Sequence, residues 1–199
     1  MILLVNPRVT RPANSRFPLS IMGIGAALPE GTSWEIVDGN LPDADPLGEL
    51  LSQIEARRHG PDPVEAVGFT VMPGPQLVSA VPIARELKAR YPGVPMVWGG
   101  NFPSLYPAAV LNAPYVDWVV RGQGEQTFVE LLDVLRGDRD PKAVAGLAFR
   151  EPDGGHWIGP ERHWLGPDQL PAPPYHKIPV QSYLRPTFLG RRSGAYQAS

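Results

Sequence analysis

The chain reads as an α/β domain built on one doubly wound parallel sheet. Short, continuous apolar runs alternate with longer stretches of helical period, and most turns between them are brief. Strands buried on both faces, with a helix between consecutive strands, are the pattern of a parallel sheet covered on both sides. Glycine, proline and polar residues collect directly after the apolar runs, where such sheets carry their binding loops. The expected form is flavodoxin-like: five parallel strands in the order 2-1-3-4-5, then a C-terminal hairpin and a proline-rich linker.

Ile2–Asn6 is the first strand, too short and too uniformly apolar for an amphipathic helix. The loop 7–19 is long, carries Arg8, Arg11 and Arg16, and loops of that length are often functional. Ser20–Leu28 is a short helix with Gly23 and Gly25, and Trp34–Asp38 a second strand. Leu47–Arg58 places Leu47, Leu50, Leu51 and Ile54 on one helical face. Ala66–Met72 is the third strand, followed by helix Gln76–Arg90 with Val78, Val81, Ile83, Ala84 and Leu87 on its inner side. Strand Pro95–Trp98, helix Ser104–Asn112, strand Tyr115–Val120 and helix Gln126–Arg136 complete the alternation. Beyond Gly137 the character changes. A hairpin is expected around Asp153-Gly154-Gly155, and residues 166–188 read as extended linker rather than core. The expected division is therefore 1–138 and 139–199.

Composition removes several function classes. At 199 residues the chain can bury a core of roughly 70% of its unfolded surface. A net charge of −2 without a basic stripe disfavours nucleic acid. With no cysteine, the chain offers no disulfide, thiolate metal site or cysteine nucleophile. No apolar run approaches the ~18 residues of a membrane span, and the N-terminus lacks the features of a signal peptide, so a cytoplasmic, membrane-free protein is expected.

The strand ends carry the functional signal. Asn6-Pro7, Pro73-Gly74, Gly99-Gly100-Asn101 and Gly122-Gln123-Gly124-Glu125 all fall at carboxyl ends of predicted strands. Gly99-Gly100 means either a turn with positive φ or a bulky body lying against bare backbone. A dinucleotide site is poorly supported, although Gly23, Gly25 and Asp38 give a partial fingerprint. Its glycines belong in the tight turn directly after the strand, and here they fall inside the helix, where close helix packing is the simpler role. No Walker sequence exists, and the third strand ends in Thr-Val-Met rather than a phosphoacceptor aspartate.

The runs "VGFTVMPGPQ", "VPMVWGGNFPSLYP" and "VDWVVRGQGEQTF" together resemble the N-terminal cobalamin-binding domain of B12-dependent radical SAM enzymes. Gly99-Gly100, Pro103 and Gly122-Gln123-Gly124-Glu125-Gln126-Thr127-Phe128 match that family's strand-end pattern. The later "AGLAFREPDGG" and "DQLPAPPYHKIPVQSY" resemble the hairpin and linker leading to the radical SAM barrel, so the likeness covers nearly the whole chain. In that family the cluster-binding CxxxCxxC follows shortly after such a linker. The chain is expected to stop just before it.

The resemblance implies bound cobalamin, with a [4Fe-4S] cluster and S-adenosylmethionine held elsewhere in the parent protein. It implies a radical SAM domain of the same parent chain as partner, and a methyltransferase as parent. A non-methylating B12 radical SAM enzyme and a nucleotide- or flavin-binding module are the alternatives. The implied cofactor contacts are Pro7, Thr70, Val71, Met72, Pro73, Gly74, Gln76, Gly99, Gly100, Asn101, Phe102, Gly122, Gln123, Gly124 and Glu125. Glycines after the fourth strand would clear a path for the nucleotide tail, with the Thr70 hydroxyl nearby. Met72-Pro73-Gly74 would cover the lower face of the corrin. Glu125 either contacts the cofactor or compensates the dipole of its helix. Cobalamin domains of mutases and methionine synthase carry D-x-H-x-x-G after the first strand. Here that stretch is Asn6-Pro7-Arg8-Val9-Thr10-Arg11, without histidine, so base-off cobalamin with no protein histidine ligand is implied. His59, His156, His163 and His176 all fall away from the predicted rim. The sequence offers no catalytic acid, base or nucleophile.

Overall fold

Five parallel strands form where the apolar runs fall: β1 (Ile2–Asn6), β2 (Trp34–Asp38), β3 (Ala66–Thr70), β4 (Met96–Gly99) and β5 (Trp118–Val120). The structure is a computed structural model that describes residues 1–11 and 14–194. Pro12 and Ala13 of the predicted loop and the closing Ala195–Ser199 lie outside the described residues. Helices α1 (Leu19–Ala27), α2 (Pro46–Arg57), α3 (Pro75–Arg90), α4 (Asn101–Leu105), α5 (Pro107–Leu111) and α6 (Glu125–Arg136) fill the intervals.

The sheet is larger than five strands. Its order is β2-β1-β3-β4-β5-β6-β7, because the hairpin of β6 (Leu147–Arg150) and β7 (His156–Ile158) continues it antiparallel to β5. Val119 faces Ala148 and Trp118 faces Phe149 across the new ladder. A two-stranded hairpin alone is marginal in water, and the free edge of β5 offers it a partner. A small ribbon, β8 (Arg185–Thr187) with β9 (Gly190–Ser193), stands apart from the sheet.

Two apolar layers cover the two faces. Leu3, Val5, Phe69 and Trp98 pack with α2 and α3 through Leu50, Ile54, Ile83 and Leu87. Ile2, Leu4, Val97 and Val120 pack with α1 and α6 through Ile21, Phe128, Leu131 and Leu132. Asp45 caps α2, its carboxylate accepting from Gly48 N at 3.0 Å with Pro46 in the first turn, and Gly137 ends α6 in the left-handed conformation.

Two expectations shift at this level. The single helix expected over Ser104–Asn112 is two short ones, because Pro107 drives Tyr106 out of the helical region (φ −129, ψ 52). Val78 does not face inward; it is 73% exposed, and the buried stripe of α3 runs through Gln76, Ala80, Ile83, Ala84 and Leu87. Successive helical residues turn by about 100°, so a stripe through Gln76 and Ala80 leaves Val78 on the opposite side.

The proline-rich stretch also departs from its expected role. Ile178 and Tyr183 are buried, packing with Met22 of α1 in a third apolar cluster. Helix α1 is thereby enclosed on both sides, which suits its nearly uniform apolar sequence LSIMGIGAA. Proline brings no N–H to satisfy, so this segment can lie on apolar surface without a sheet ladder.

Gly25 is where α1 meets β2 most closely. A Cβ there would sit 2.5 Å from the buried ring of Trp34. Gly25→Val is expected to cost about 1–3 kcal/mol through overpacking, lowering the thermal midpoint by roughly 2–12 °C. An unchanged midpoint in a melting curve would show that Trp34 yields freely.

Candidate functional site

A cleft of about 780 Å³ opens at the carboxyl ends of β3, β4 and β5, between α1 and the start of α6. Such a volume is within the usual range for organic ligands. Its floor is apolar, from Leu4, Phe69, Val97, Val120 and Phe128. Its sides are largely bare backbone at Gly99, Gly100, Gly122 and Gly124, with Thr70 and Ser20 presenting hydroxyls. Those hydroxyls are 3.3 Å apart and tie the first turn of α1 to the end of β3.

The glycines differ in what demands them. Gly100 has φ +93, and a Cβ there would lie 2.9 Å from Val71 N and 3.0 Å from Val71 O. Its bareness is therefore required by the turn and by the neighbouring strand, and it borders the cleft as well. Gly122 has φ +67, and a Cβ added there would meet nothing within 4 Å, so its backbone stands open to the cleft. At Gly124 and Gly23 added Cβ atoms would meet Ile24 and Glu125 respectively, each at 2.9 Å. This pair of glycines lets α1 and α6 approach across the back of the site, the packing role expected of Gly23.

Thr70, Gly99, Gly100, Gly122, Gln123, Gly124 and Glu125 come together in the cleft wall. The remaining candidates do not line it. Val71 and Pro7 are buried beside it, and Phe102 packs on the opposite apolar layer. Asn101 is exposed at the start of α4, and Met72, Pro73 and Gly74 stand on an exposed loop at the same end of the sheet. Gln76 is buried beneath the Met72–Gly74 loop, its amide donating to Asn6 Oδ1 at 2.9 Å and accepting from Met72 N at 2.8 Å. None of His59, His156, His163 and His176 lines the cleft, and no group of three or more metal-ligating side chains occurs among the described residues.

Three contributors escape a reading of the sequence. Ser104 joins two glycine loops, donating to Gly100 O at 2.7 Å and accepting from Gly122 N at 2.9 Å. Ser20 borders the mouth. The stretch Trp164–Pro173, which runs into the expected linker at residue 166, forms one wall of the cleft. It is held by Gln123, whose side-chain amide donates to Leu165 O at 3.3 Å and accepts from Leu165 N at 2.6 Å. Arg162 anchors the same segment to α6 through Thr127, Gln126 and Glu130. A hydroxyl's loop-bridging role and a strap's resting place both depend on contacts distant in sequence, and composition carries neither.

Asp38 is fully engaged in a different way from a ribose-binding acid. It accepts from Asn6 Nδ2, from both nitrogens of Asn40, and from the Tyr183 hydroxyl at 2.7 Å. Burial, and then the adjacent Asp38 carboxylate, hold the Tyr183 phenol far above its ordinary pKa, so it remains a donor.

No helix among the described residues is long and apolar enough to cross a membrane. The family model "B12 binding domain" matches residues 8–132. An uncharacterized methyltransferase, PH0819, of Pyrococcus horikoshii is 28% identical over 167 residues, covering 83% of this chain and 35% of that protein. The anaerobic magnesium-protoporphyrin IX monomethyl ester cyclase of Synechocystis is 37% identical over 95 residues, 47% of this chain and 17% of that protein. The radical S-adenosylmethionine methyltransferase TsrM of Kitasatospora setae, solved with cobalamin and a [4Fe-4S] cluster, superposes with a TM-score of 0.67 at 23% identity, over 97% of this chain and 36% of that one. The chain thus spans about a third or less of the proteins it matches. With a family match over more than half its length and a cleft at the strand ends that this fold uses for binding, the chain belongs to the B12-binding domain family.

Proposed function

We propose that this chain holds base-off cobalamin for a B12-dependent radical SAM methyltransferase, with its nucleotide tail in the cleft between α1 and α6. The observation that carries the reading is the cleft itself: an apolar floor, open backbone at Gly122, and two hydroxyls at its rim. An aromatic base with a sugar–phosphate tail matches that division into apolar floor and polar edge. Thr70, Gly99, Gly100, Gly122, Gln123, Gly124 and Glu125 would border the tail. Pro7, Val71, Asn101 and Phe102 would shape the rim, and Met72-Pro73-Gly74 with Gln76 would lie below the corrin. Met72 is 50% exposed, leaving its thioether free to cover an apolar ring. When bound, the cobalt centre serves as the methyl carrier, and the chain's part is to hold and orient it. The division at 138/139 would separate the sheet-and-helix part of the cradle from the edge strands and the strap that walls it.

With no cysteine in the chain, the cluster and S-adenosylmethionine would be held by a radical SAM domain of the parent protein. A cytoplasmic setting accords with such a cluster. The likeness to a monomethyl ester cyclase favours one second reading, a parent that does not methylate.

Reconstitution with hydroxocobalamin, desalting and a visible spectrum test the proposal. A retained corrin with a base-off spectrum is expected. Failure to retain corrin overturns the reading, and retention of flavin mononucleotide in a parallel sample would replace it with a flavin module. A histidine-ligated spectrum overturns the coordination alone.

A further inference from the structure

We propose that Tyr183, Asp38, Asn6 and Gln76 form a positioning relay that couples the docked segment 175–184 to the Met72–Gly74 loop. Its link to cofactor holding rests on the cobalamin reading above. The relay is continuous. Tyr183 donates to Asp38 Oδ2 at 2.7 Å, and Asn6 Nδ2 donates to Asp38 Oδ1 at 3.0 Å. Gln76 Nε2 donates to Asn6 Oδ1 at 2.9 Å, and Met72 N donates to Gln76 Oε1 at 2.8 Å. Tyr183, Asp38, Asn6 and Gln76 are each no more than 8% exposed, so bulk water does not substitute for a missing partner.

The chemistry of the ends fixes every orientation between them. A backbone N–H can only donate, so Gln76 must present its oxygen to Met72 and its nitrogen to Asn6. Asn6 must then present oxygen to Gln76, leaving nitrogen for the acceptor-only carboxylate of Asp38. Neither amide can flip without breaking two bonds. A second arm leaves the same carboxylate: Asn40 donates to Asp38 Oδ1 and to Pro7 O, while its own Oδ1 accepts from Val9 N at 2.7 Å and Thr10 N at 3.2 Å. One buried carboxylate therefore holds the loops after β1 and β3, on either side of the point where strand order reverses. The C-terminal segment supplies the Tyr183 donor from 145 residues away. Loss of that docking would leave Asp38 short of a donor and loosen both loops.

The test is amide hydrogen exchange by NMR on the full 199-residue chain, comparing Met72 with Leu4 in the centre of β1. Tyr183→Phe keeps the ring beside Phe17 and removes only the hydroxyl. Gln76→Leu breaks the last link and sets the full scale for Met72. In Tyr183→Phe, Met72 exchange is expected to rise at least tenfold more than Leu4 exchange, and the hydroxocobalamin Kd to rise at least tenfold. Unchanged Met72 exchange overturns the relay, as does an equal rise at both amides, which would make Tyr183 a core residue only. A loosened Met72 with unchanged Kd overturns the coupling to the cofactor. If the unsubstituted 199-residue chain retains no cobalamin, the functional reading fails while the exchange ratio still decides the relay.

Discussion

Gly100→Val is expected to lose about 2–5 kcal/mol of folding stability, the largest loss expected from any single change at the site. Two costs combine. A β-branched residue is forced to φ +93, and its Cβ would press on Val71 N and O at 2.9 and 3.0 Å, which are backbone atoms of the segment just after β3 and cannot rotate away. The thermal midpoint should fall by roughly 4–20 °C with no cofactor present. Gly122→Ala provides the contrast. It carries the strain of φ +67 without a clash, and should cost only about 1 kcal/mol. A Gly100→Val protein that melts normally yet retains no corrin would show that this glycine is bare for the ligand alone.

Ser20→Trp is expected to have the largest effect on binding. Ser20 is exposed in the first turn of α1, at the cleft mouth and 3.3 Å from the Thr70 hydroxyl. An indole at that position would occupy the space assigned to the nucleotide tail, while tryptophan in a first helical turn costs only a few tenths of a kcal/mol. Hydroxocobalamin affinity should fall about 100-fold, equivalent to about 2.7 kcal/mol, with a midpoint within a few degrees of the parent. Affinity unchanged in an equilibrium titration would place the tail elsewhere.

The parts of this molecule governed by local pattern were legible in the sequence. β1 and β2 fall on their expected residues, and most helix ends agree to within a residue. The hairpin around Asp153–Gly155 forms where its turn residues stand. The glycine-rich strand ends converge on one cleft, because parallel strands with short crossovers must bring their carboxyl ends to the same side.

Local pattern also misled in definable places. The stretch Ser104–Asn112 has helical composition, but Pro107 makes Tyr106 non-helical. Val78 is apolar in an amphipathic helix, yet the phase of that helix is set by Gln76 and its buried partners. Helix α1 carried the one overlooked signal for a covering segment. A helix apolar on nearly every side needs cover beyond the one face that the sheet can supply.

By itself, then, the sequence determined the alternation of strands and helices, the parallel core and the glycine loops, all of which follow from period, propensity and turn chemistry within a few residues. Only the tertiary structure decided that the hairpin extends the sheet to seven strands, that Trp164–Pro173 walls the cleft, and that Tyr183 completes the partners of Asp38. Each of those contacts joins residues far apart in the chain. Their formation is governed by which free edge, apolar face or buried carboxylate lacks a partner once the rest has folded, and no local stretch of sequence records that.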